Sequence, residues 1–189
     1  MSSALVPNGN ICLTFDELVS QKFLKYSAKY FSDLADGYRL GWDSLPHITL
    51  CQFHHDKPQP RALRRELSEI VATPEAIDLD NLEKRPGTGI HEGYNWFAFS
   101  LLPAAPWLID LQTQVETILR KYDMTVLTPS GPDYHPQATI CRAKADSKPP
   151  VDDAFKNKLF IEPSRINLSL GQSDVNSQCQ KIFWTRKLA

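Results

Sequence analysis

Hydrophobic and polar residues along the chain follow two periods, one typical of β-strands and one typical of α-helices. Short apolar or alternating runs predict strands at residues 11–15, 47–53, 77–82, 95–101, 134–142, 165–171 and 181–185. Apolar positions spaced three or four residues apart predict three helices, which begin at Asp16, after Pro58 and Pro60, and after Pro106. A loop is predicted at 84–94 and a hairpin turn at 174–177. The alternation of strands and helices predicts a layered α+β or α/β domain.

Two of the predicted strands repeat one another at an offset of 90 residues. The identical positions are Pro46 and Pro136, Thr49 and Thr139, and Cys51 and Cys141. Each of these strands also follows an earlier strand, a long amphipathic helix and a loop. Because the local sequence and the order of elements agree, we interpret the repeat as an internal duplication.

The repeated strands place polar side chains on one face. Side chains alternate along a strand, so His47, Thr49 and Cys51 are predicted to share a face. Gln137 and the equivalent residues of the second strand share the corresponding face. If two lobes bring these faces together across a cleft, two hydroxyls beside an imidazole suit a phosphate. The cysteines are interpreted as small buried packing residues near the floor of that cleft.

These motifs resemble those of the 2H phosphoesterase superfamily, which includes bacterial 2'-5' RNA ligase-like proteins and cyclic phosphodiesterases. That superfamily carries two His-x-Thr/Ser motifs, one in each lobe, on strands that often follow a proline. The first motif is present at residues 46–50, as Pro-His-Ile-Thr-Leu. The second matches residues 134–142 except that Gln137 stands in the position of the histidine. The resemblance in the order of elements covers nearly the whole chain.

The resemblance implies an α+β fold of two pseudo-symmetric lobes, with antiparallel sheets around a central groove and helices on the outside. We expect one bilobal domain over 1–189. The lobe of the first motif is expected near 16–94 and the lobe of the second motif near 95–189. The N-terminal strand is a candidate for exchange from one lobe to the other.

The resemblance also implies phosphodiester chemistry without a metal or a cofactor. The substrates that the resemblance implies are 2',3'-cyclic phosphates or 2'-linked phosphodiesters of a nucleotide or an RNA. One histidine takes a proton from the attacking oxygen, the other protonates the leaving oxygen, and the threonine hydroxyls hold the phosphate. These roles correspond to His47, Thr49 and Thr139, with Gln137 at the remaining position.

Gln137 leaves the two-histidine mechanism incomplete, because an amide does not titrate near neutral pH. General acid or base catalysis typically contributes about 10²–10⁴-fold. Three explanations stay open. His47 alone supports weakened or altered activity, or the protein binds a nucleotide or RNA end without turnover. In the third, His135 takes the missing role from about 6.6 Å along the strand. A scaffold that binds no nucleotide is a further alternative.

Other residues are candidates for binding. Tyr94 and Tyr134 are candidates to stack on a base, and Arg142 is a candidate phosphate ligand. His54 and His55 have no second cluster of ligands at a suitable spacing, so no metal site is predicted.

Composition narrows the classes of partner. The chain has 189 residues with 21 basic and 22 acidic side chains, for a net charge of -1. This balance argues against a cationic surface for duplex DNA, so the expected partner is a nucleotide or RNA-end phosphate. No apolar run reaches the ~20 residues of a membrane span, and residues 1–10 lack the pattern of a secretory signal. The chain has four widely spaced cysteines, and we expect them to be reduced thiols in a cytoplasmic protein. We also expect the protein to be a monomer.

Overall fold

The computed structural model describes residues 6–41, 44–56, 61–148, 150, 152–156, 158–174 and 176–188. Its strands are β1 (Gly9–Phe15), β2 (Tyr38–Arg39), β3 (His47–His54), β4 (Ile77–Leu79), β5 (Leu82–Pro86), β6 (Tyr94–Ser100), β7 (Thr125–Val126), β8 (Gln137–Lys144), β9 (Leu159–Ile161), β10 (Ile166–Ser173) and β11 (Cys179–Lys187). The helices are α1 (Glu17–Phe31), α2 (Arg61–Glu69), α3 (Pro106–Lys121) and α4 (Asp152–Phe155). Predictions at residues 1–5, Pro58, Pro60 and position 175 lie outside the described residues.

Local signals in the sequence explain where α1 begins. The backbone N–H of Val19 donates to the Asp16 carboxylate at 2.9 Å, which satisfies one of the free donors at the helix start. Arg165 also donates to this carboxylate at 2.5 Å, and both contacts lower the pKa of Asp16. The predicted N-cap is therefore confirmed.

Two antiparallel sheets dominate the fold. The first has the strand order β11-β10-β1-β3-β7, and the second has the order β2-β8-β6-β5. A two-stranded ribbon joins β4 to β9. The loop expected at 84–94 instead begins with β5, which pairs with β6. Both main sheets take strands from both halves of the chain, and the expected lobe boundary at residue 94 stays a prediction.

The duplication extends to the register of the strands. In β3, Thr49 and Cys51 pair with consecutive residues of β1, so Leu50 is an extra residue and forms a β-bulge. In β8, Thr139 and Cys141 likewise pair with consecutive residues of β6, so Ile140 is the extra residue. The two bulges are separated by the 90-residue offset of the sequence repeat.

The bulge changes which side chains share a face. Cys51 faces the core, where its Sγ lies 3.8 Å from the Gln112 carbonyl of α3. Cys141 is also buried in the core, whereas Gln52 lies on the groove side with Thr49. The prediction that the cysteines share the face of the motif residues is therefore wrong, because it assumed unbroken alternation.

The long helices are exchanged between the sheets. α1 lies between β1 and β3 in the chain, yet it packs on the second sheet, where Tyr26 and Phe31 contact Phe99 and Phe97 at ring distances of 5.2 and 5.4 Å. α3 lies between β6 and β8 but packs on β3 of the first sheet. One continuous core therefore joins both sheets. In the part of the chain that the structure describes, no helix has the length and apolar character to cross a membrane.

Candidate functional site

The two motif strands lie beside one another at the centre of the molecule. Tyr134, just before β8, donates its hydroxyl to the carbonyl of Thr49 on β3 at 2.9 Å. Its ring is only 3% exposed. Tyr134 therefore joins the two strands, and this position leaves little of its ring for contact with a base.

A small cavity of about 170 Å³ lies between these strands. Its lining residues are Thr49, Gln52, Leu127, Thr128, Pro129, Tyr134, His135, Gln137, Thr139 and Gln178. The fold thus brings five sequence-predicted residues to one cavity: Thr49, Tyr134, His135, Gln137 and Thr139. Among the described residues that line the cavity there is no lysine, arginine, aspartate or glutamate, and His135 lies at its exposed rim.

The cavity offers both donors and acceptors. Asn10 donates its side-chain amide to the Thr49 hydroxyl oxygen at 3.4 Å, which leaves the hydroxyl proton of Thr49 for another partner. The side-chain oxygens of Gln137 and Gln178 are buried and have no hydrogen-bond partner among the described residues. A buried polar atom without a partner is costly, so these oxygens favour a ligand that carries donors as well as acceptors.

His47 is brought near the cavity but does not line it. Its ring is 4% exposed, and Nδ1 lies 2.7 Å from the Leu45 carbonyl. Because a carbonyl only accepts, we assign the ring proton to Nδ1. Nε2 then accepts from the backbone N–H of Cys179 at 3.4 Å. Burial lowers the pKa of His47, and the hydrogen bond to Leu45 opposes this only in part. In this arrangement His47 is a neutral, fully bonded imidazole.

Arg142 on β8 and Tyr94 on β6 contact one another. The Arg142 guanidinium stacks over the Tyr94 ring at 4.3 Å. It donates to the Asp36 carbonyl at 2.9 Å, to the Asn176 side-chain oxygen at 3.2 Å and to Nδ1 of His91 at 3.0 Å. Burial and this positive charge lower the pKa of His91. Arg142 is thus held by protein groups, outside the small cavity.

Gly37 makes room for this guanidinium. Its backbone has φ of +71°, and a Cβ there would lie 2.0 Å from Nη2 of Arg142. A larger residue would displace Arg142 and would also strain the backbone.

The turn between β10 and β11 separates two cavities. The Asp174 carboxylate accepts from the backbone N–H groups of Asn176 and Gln178, each at 2.8 Å, and this fixes the turn. Asp174 and Asn176 line a larger cavity of about 480 Å³, while Gln178 lines the small one.

Some residues at the site were not predicted from the sequence: Asn10, which donates to Thr49, and the lining residues Gln52, Leu127, Thr128, Pro129 and Gln178. For Gln52 a signal existed, since it stands 90 residues before Arg142 in the repeat. No cluster of three side chains able to hold a metal occurs among the residues for which side chains are described.

Comparison with known proteins supports the fold. No protein-family model matches the chain, and no curated protein matches it by sequence. A solved structure described as a phosphoesterase superposes with a TM-score of 0.61 at 15% identity, over 97% of this chain and 98% of the other. The Escherichia coli LigT complex with 3'-AMP gives 0.58 at 14% identity, also over 97% and 98%. The LigT complex with ATP gives 0.57 at 16% identity, with the same coverage.

These likenesses define the class of fold. The chain has the duplicated α+β fold of the 2H phosphoesterases, with antiparallel sheets and a groove between them, as the sequence predicted. At 14–16% identity the likeness concerns the fold, and the chemistry of this groove must be argued from its own residues.

Proposed function

We propose that the protein binds the phosphate-bearing end of a nucleotide or an RNA in the small cavity, with little or no turnover. The state of the two histidine positions carries this proposal. One position holds Gln137, which cannot exchange a proton near neutral pH. At the other, both ring nitrogens of His47 are bonded to backbone groups. A groove in this state retains binding groups but lacks an acid–base pair.

The remaining groups suit a phosphate ester. Thr49 on β3 and Thr139 on β8 both line the cavity, and Gln137 lines it two residues before Thr139. The amide oxygens of Gln137 and Gln178 suit ribose hydroxyls or the edge of a base. E. coli LigT has been solved in complex with 3'-AMP, with phosphate and with ATP, so a protein of this fold binds such ligands.

A second candidate function is slow hydrolysis of a 2',3'-cyclic phosphate or a 2'-linked phosphodiester. The exposed imidazole of His135 favours it, because His135 lines the same cavity as Thr49 and Thr139. A general acid or base must lie within hydrogen-bond reach of the reacting oxygen, directly or through one water, and the rim of this cavity is such a position for an ester held by the two threonines.

Calorimetric titration with the four nucleoside 2',3'-cyclic phosphates and a 2'-5' linked dinucleotide tests the proposal. Thr49→Val and Thr139→Val remove the hydroxyls and keep the shape, and each is expected to weaken binding about tenfold or more. Thr113→Val is the matched control, because Thr113 is exposed on α3 and bonds only within its helix. Binding that is absent, or that ignores both motif threonines, contradicts the proposal.

Chromatographic analysis of the same mixtures separates the two candidates. Binding without product supports the first. Product that disappears in His135→Ala, while binding persists, supports the second. Product that survives this substitution and disappears in His47→Ala assigns turnover to His47 and overturns both assignments.

A further inference from the structure

A row of three side chains crosses the second sheet beside the small cavity. Arg85 on β5 pairs with Trp96 on β6, and Trp96 pairs with Arg142 on β8. Directly paired residues of antiparallel strands project to the same side of a sheet. The guanidinium carbon of Arg142 lies 5.9 Å from the centroid of the Trp96 ring. The sheet therefore presents a partly exposed aromatic ring with a basic residue on either side.

This row lies on the same face of the sheet as the cavity. Ala98 and Ser100 follow Trp96 in steps of two residues, so they share its side of β6. They pair with Thr139 and Gln137, which line the cavity. The alternate residues of β6 contact α1 on the other face. Rows two residues apart along a strand are about 6.6 Å apart, so the indole is within reach of the next nucleotide of a chain that ends in the cavity.

The guanidinium of Arg85 keeps free donors. Its Nε and Nη2 donate to the Glu83 carboxylate at 2.9 and 2.7 Å, and Nη2 also lies 3.4 Å from the Ser100 hydroxyl. Nη1 has no hydrogen-bond partner among the described residues. The side chains of Arg85 and Glu83 are 31% and 30% exposed, so a ligand can reach this ion pair from solvent. Because Ser100 pairs with Gln137, the positive charge lies close to the cavity.

We propose that this face binds the single-stranded part of an RNA whose end occupies the small cavity. Arg85 binds a backbone phosphate, and Trp96 stacks on a base. The inference rests on the proposed function and narrows the ligand from a free nucleotide to an RNA strand. Aromatic rings beside basic side chains suit single strands, because every base has a π-face and every nucleotide carries a phosphate. The described lining of the cavity holds no arginine or lysine, so Arg85 supplies a positive charge that the cavity itself does not.

Glu83 competes with a phosphate for the guanidinium of Arg85. A partly exposed ion pair contributes little to stability, so exchange of the carboxylate for another anion costs little. A phosphate also accepts from both arms of the guanidinium. Loss of Arg85 and loss of Glu83 should therefore change RNA affinity in opposite directions. If the ion pair were only structural, both losses would break it and have the same effect.

Fluorescence anisotropy with a labelled short oligoadenylate that ends in a 2',3'-cyclic phosphate tests this difference. Arg85→Gln is expected to weaken binding about fivefold or more, and Glu83→Gln to strengthen it about twofold or more. Lys84→Gln is the matched control. It removes the same charge from an exposed residue that pairs with Phe97 on the other face of the sheet. A loss shared by Lys84→Gln, or changes of one sign at Arg85 and Glu83, overturn the role of Arg85.

The salt dependence of binding tests the phosphate contact itself. Each phosphate contact to a single strand releases counterions and adds about 0.7 to the slope of log affinity against log salt concentration. Arg85→Gln is expected to lower the slope by about this amount, and Lys84→Gln to leave it unchanged. An unchanged slope in Arg85→Gln overturns the contact, even if the affinity falls.

The stacking role of Trp96 is tested by the shape of the replacement. Trp96→Leu is expected to weaken binding about fivefold or more, whereas Trp96→Phe keeps a ring and most of the affinity. Phe183→Leu is the control, since it removes a 40% exposed ring from β11 of the first sheet. Equal losses in the two variants of Trp96 overturn the stacking role.

A comparison of ligands separates this inference from the proposed function. The ligands are the oligoadenylate with the cyclic phosphate, the same strand with a 3'-hydroxyl end, and adenosine 2',3'-cyclic phosphate. Tightest binding of the first supports both statements. A mononucleotide that binds as tightly overturns the strand-binding face and leaves the proposed function. Strands that bind through Arg85 whatever their end, without mononucleotide binding, overturn the proposed function and keep the face. Absence of binding by all of them overturns both.

Discussion

The strands that carry the two motifs, β3 and β8, share a backbone and differ in chemistry. Each has a bulge at the same place and pairs antiparallel with a strand from the same part of the repeat. On β3 the His47 imidazole accepts from the backbone N–H of Cys179, whereas on β8 the side-chain oxygen of Gln137 is buried without a partner among the described residues. Leu50 and Ile140 are fully buried at the bulges. The equivalent burial of Leu50 and Ile140 keeps both strands in the same backbone arrangement, although position 47 holds a histidine and position 137 a glutamine.

Restoring the second histidine is the strongest way to remove the difference between the strands. Q137H places an imidazole opposite Thr49, and we expect hydrolysis of a 2',3'-cyclic phosphate to rise about 10²-fold over the native chain. Product release followed by chromatography measures the gain. Gln137→Asn keeps an amide at this position and serves as the control. Equal rates in the two variants would show that an imidazole at position 137 does not restore proton transfer in this groove.

The bulges provide a direct test of structural equivalence. Leu50→Ala and Ile140→Ala each remove a fully buried side chain, and each is expected to lower the free energy of unfolding by about 2–5 kcal/mol. Urea denaturation measures both losses. Val71→Ala, at a position that is 83% exposed, should change stability little. A large loss at one bulge and a negligible loss at the other would contradict the equivalence of the two strands.

The pH dependence of stability gives the smallest effect and sharpens the comparison at His47. Burial holds its pKa below the ordinary value of about 6.5. The unfolded chain therefore binds a proton that the native state excludes, so stability is full above this pH and falls as the pH drops below it.

His47→Gln gives β3 the residue that β8 has at position 137, and it removes the loss of stability at low pH that His47 causes. Between pH 7 and pH 5 the native chain should lose up to about 1.4 kcal/mol per pH unit more than this variant. Urea unfolding of both proteins at the two pH values measures the difference. His91 also has a lowered pKa but is present in both proteins, so its effect cancels. Equal losses would mean that His47 takes up its proton as readily in the native state as in the unfolded chain.

Local patterns were enough to predict much of the fold. The order of the main strands, the N-cap at Asp16 and the internal repeat each depend on residues close together in the chain or on a visible periodicity. The site residues Thr49, Gln137 and Thr139 followed from the repeat, and the structure places them in one cavity.

The remaining features depend on contacts between distant residues. No local signal in the sequence near Leu50 predicts a bulge. The prediction that Cys51 shares the face of His47 and Thr49 was therefore wrong. The bond between Cys179 and His47 joins residues 132 positions apart, and the tie between Asn176 and Arg142 depends on how the last hairpin crosses the groove. Short strands such as β2 and β7 have two residues each, too few to show a period.

The exchange of α1 and α3 between the sheets has a consequence for how the chain folds. The helix of the first half covers the sheet of the second motif, and the helix of the second half packs on the strand of the first motif. Neither half by itself can remove its apolar faces from water. Because these contacts span long stretches of chain, we expect the two duplicated halves to fold together and not one after the other.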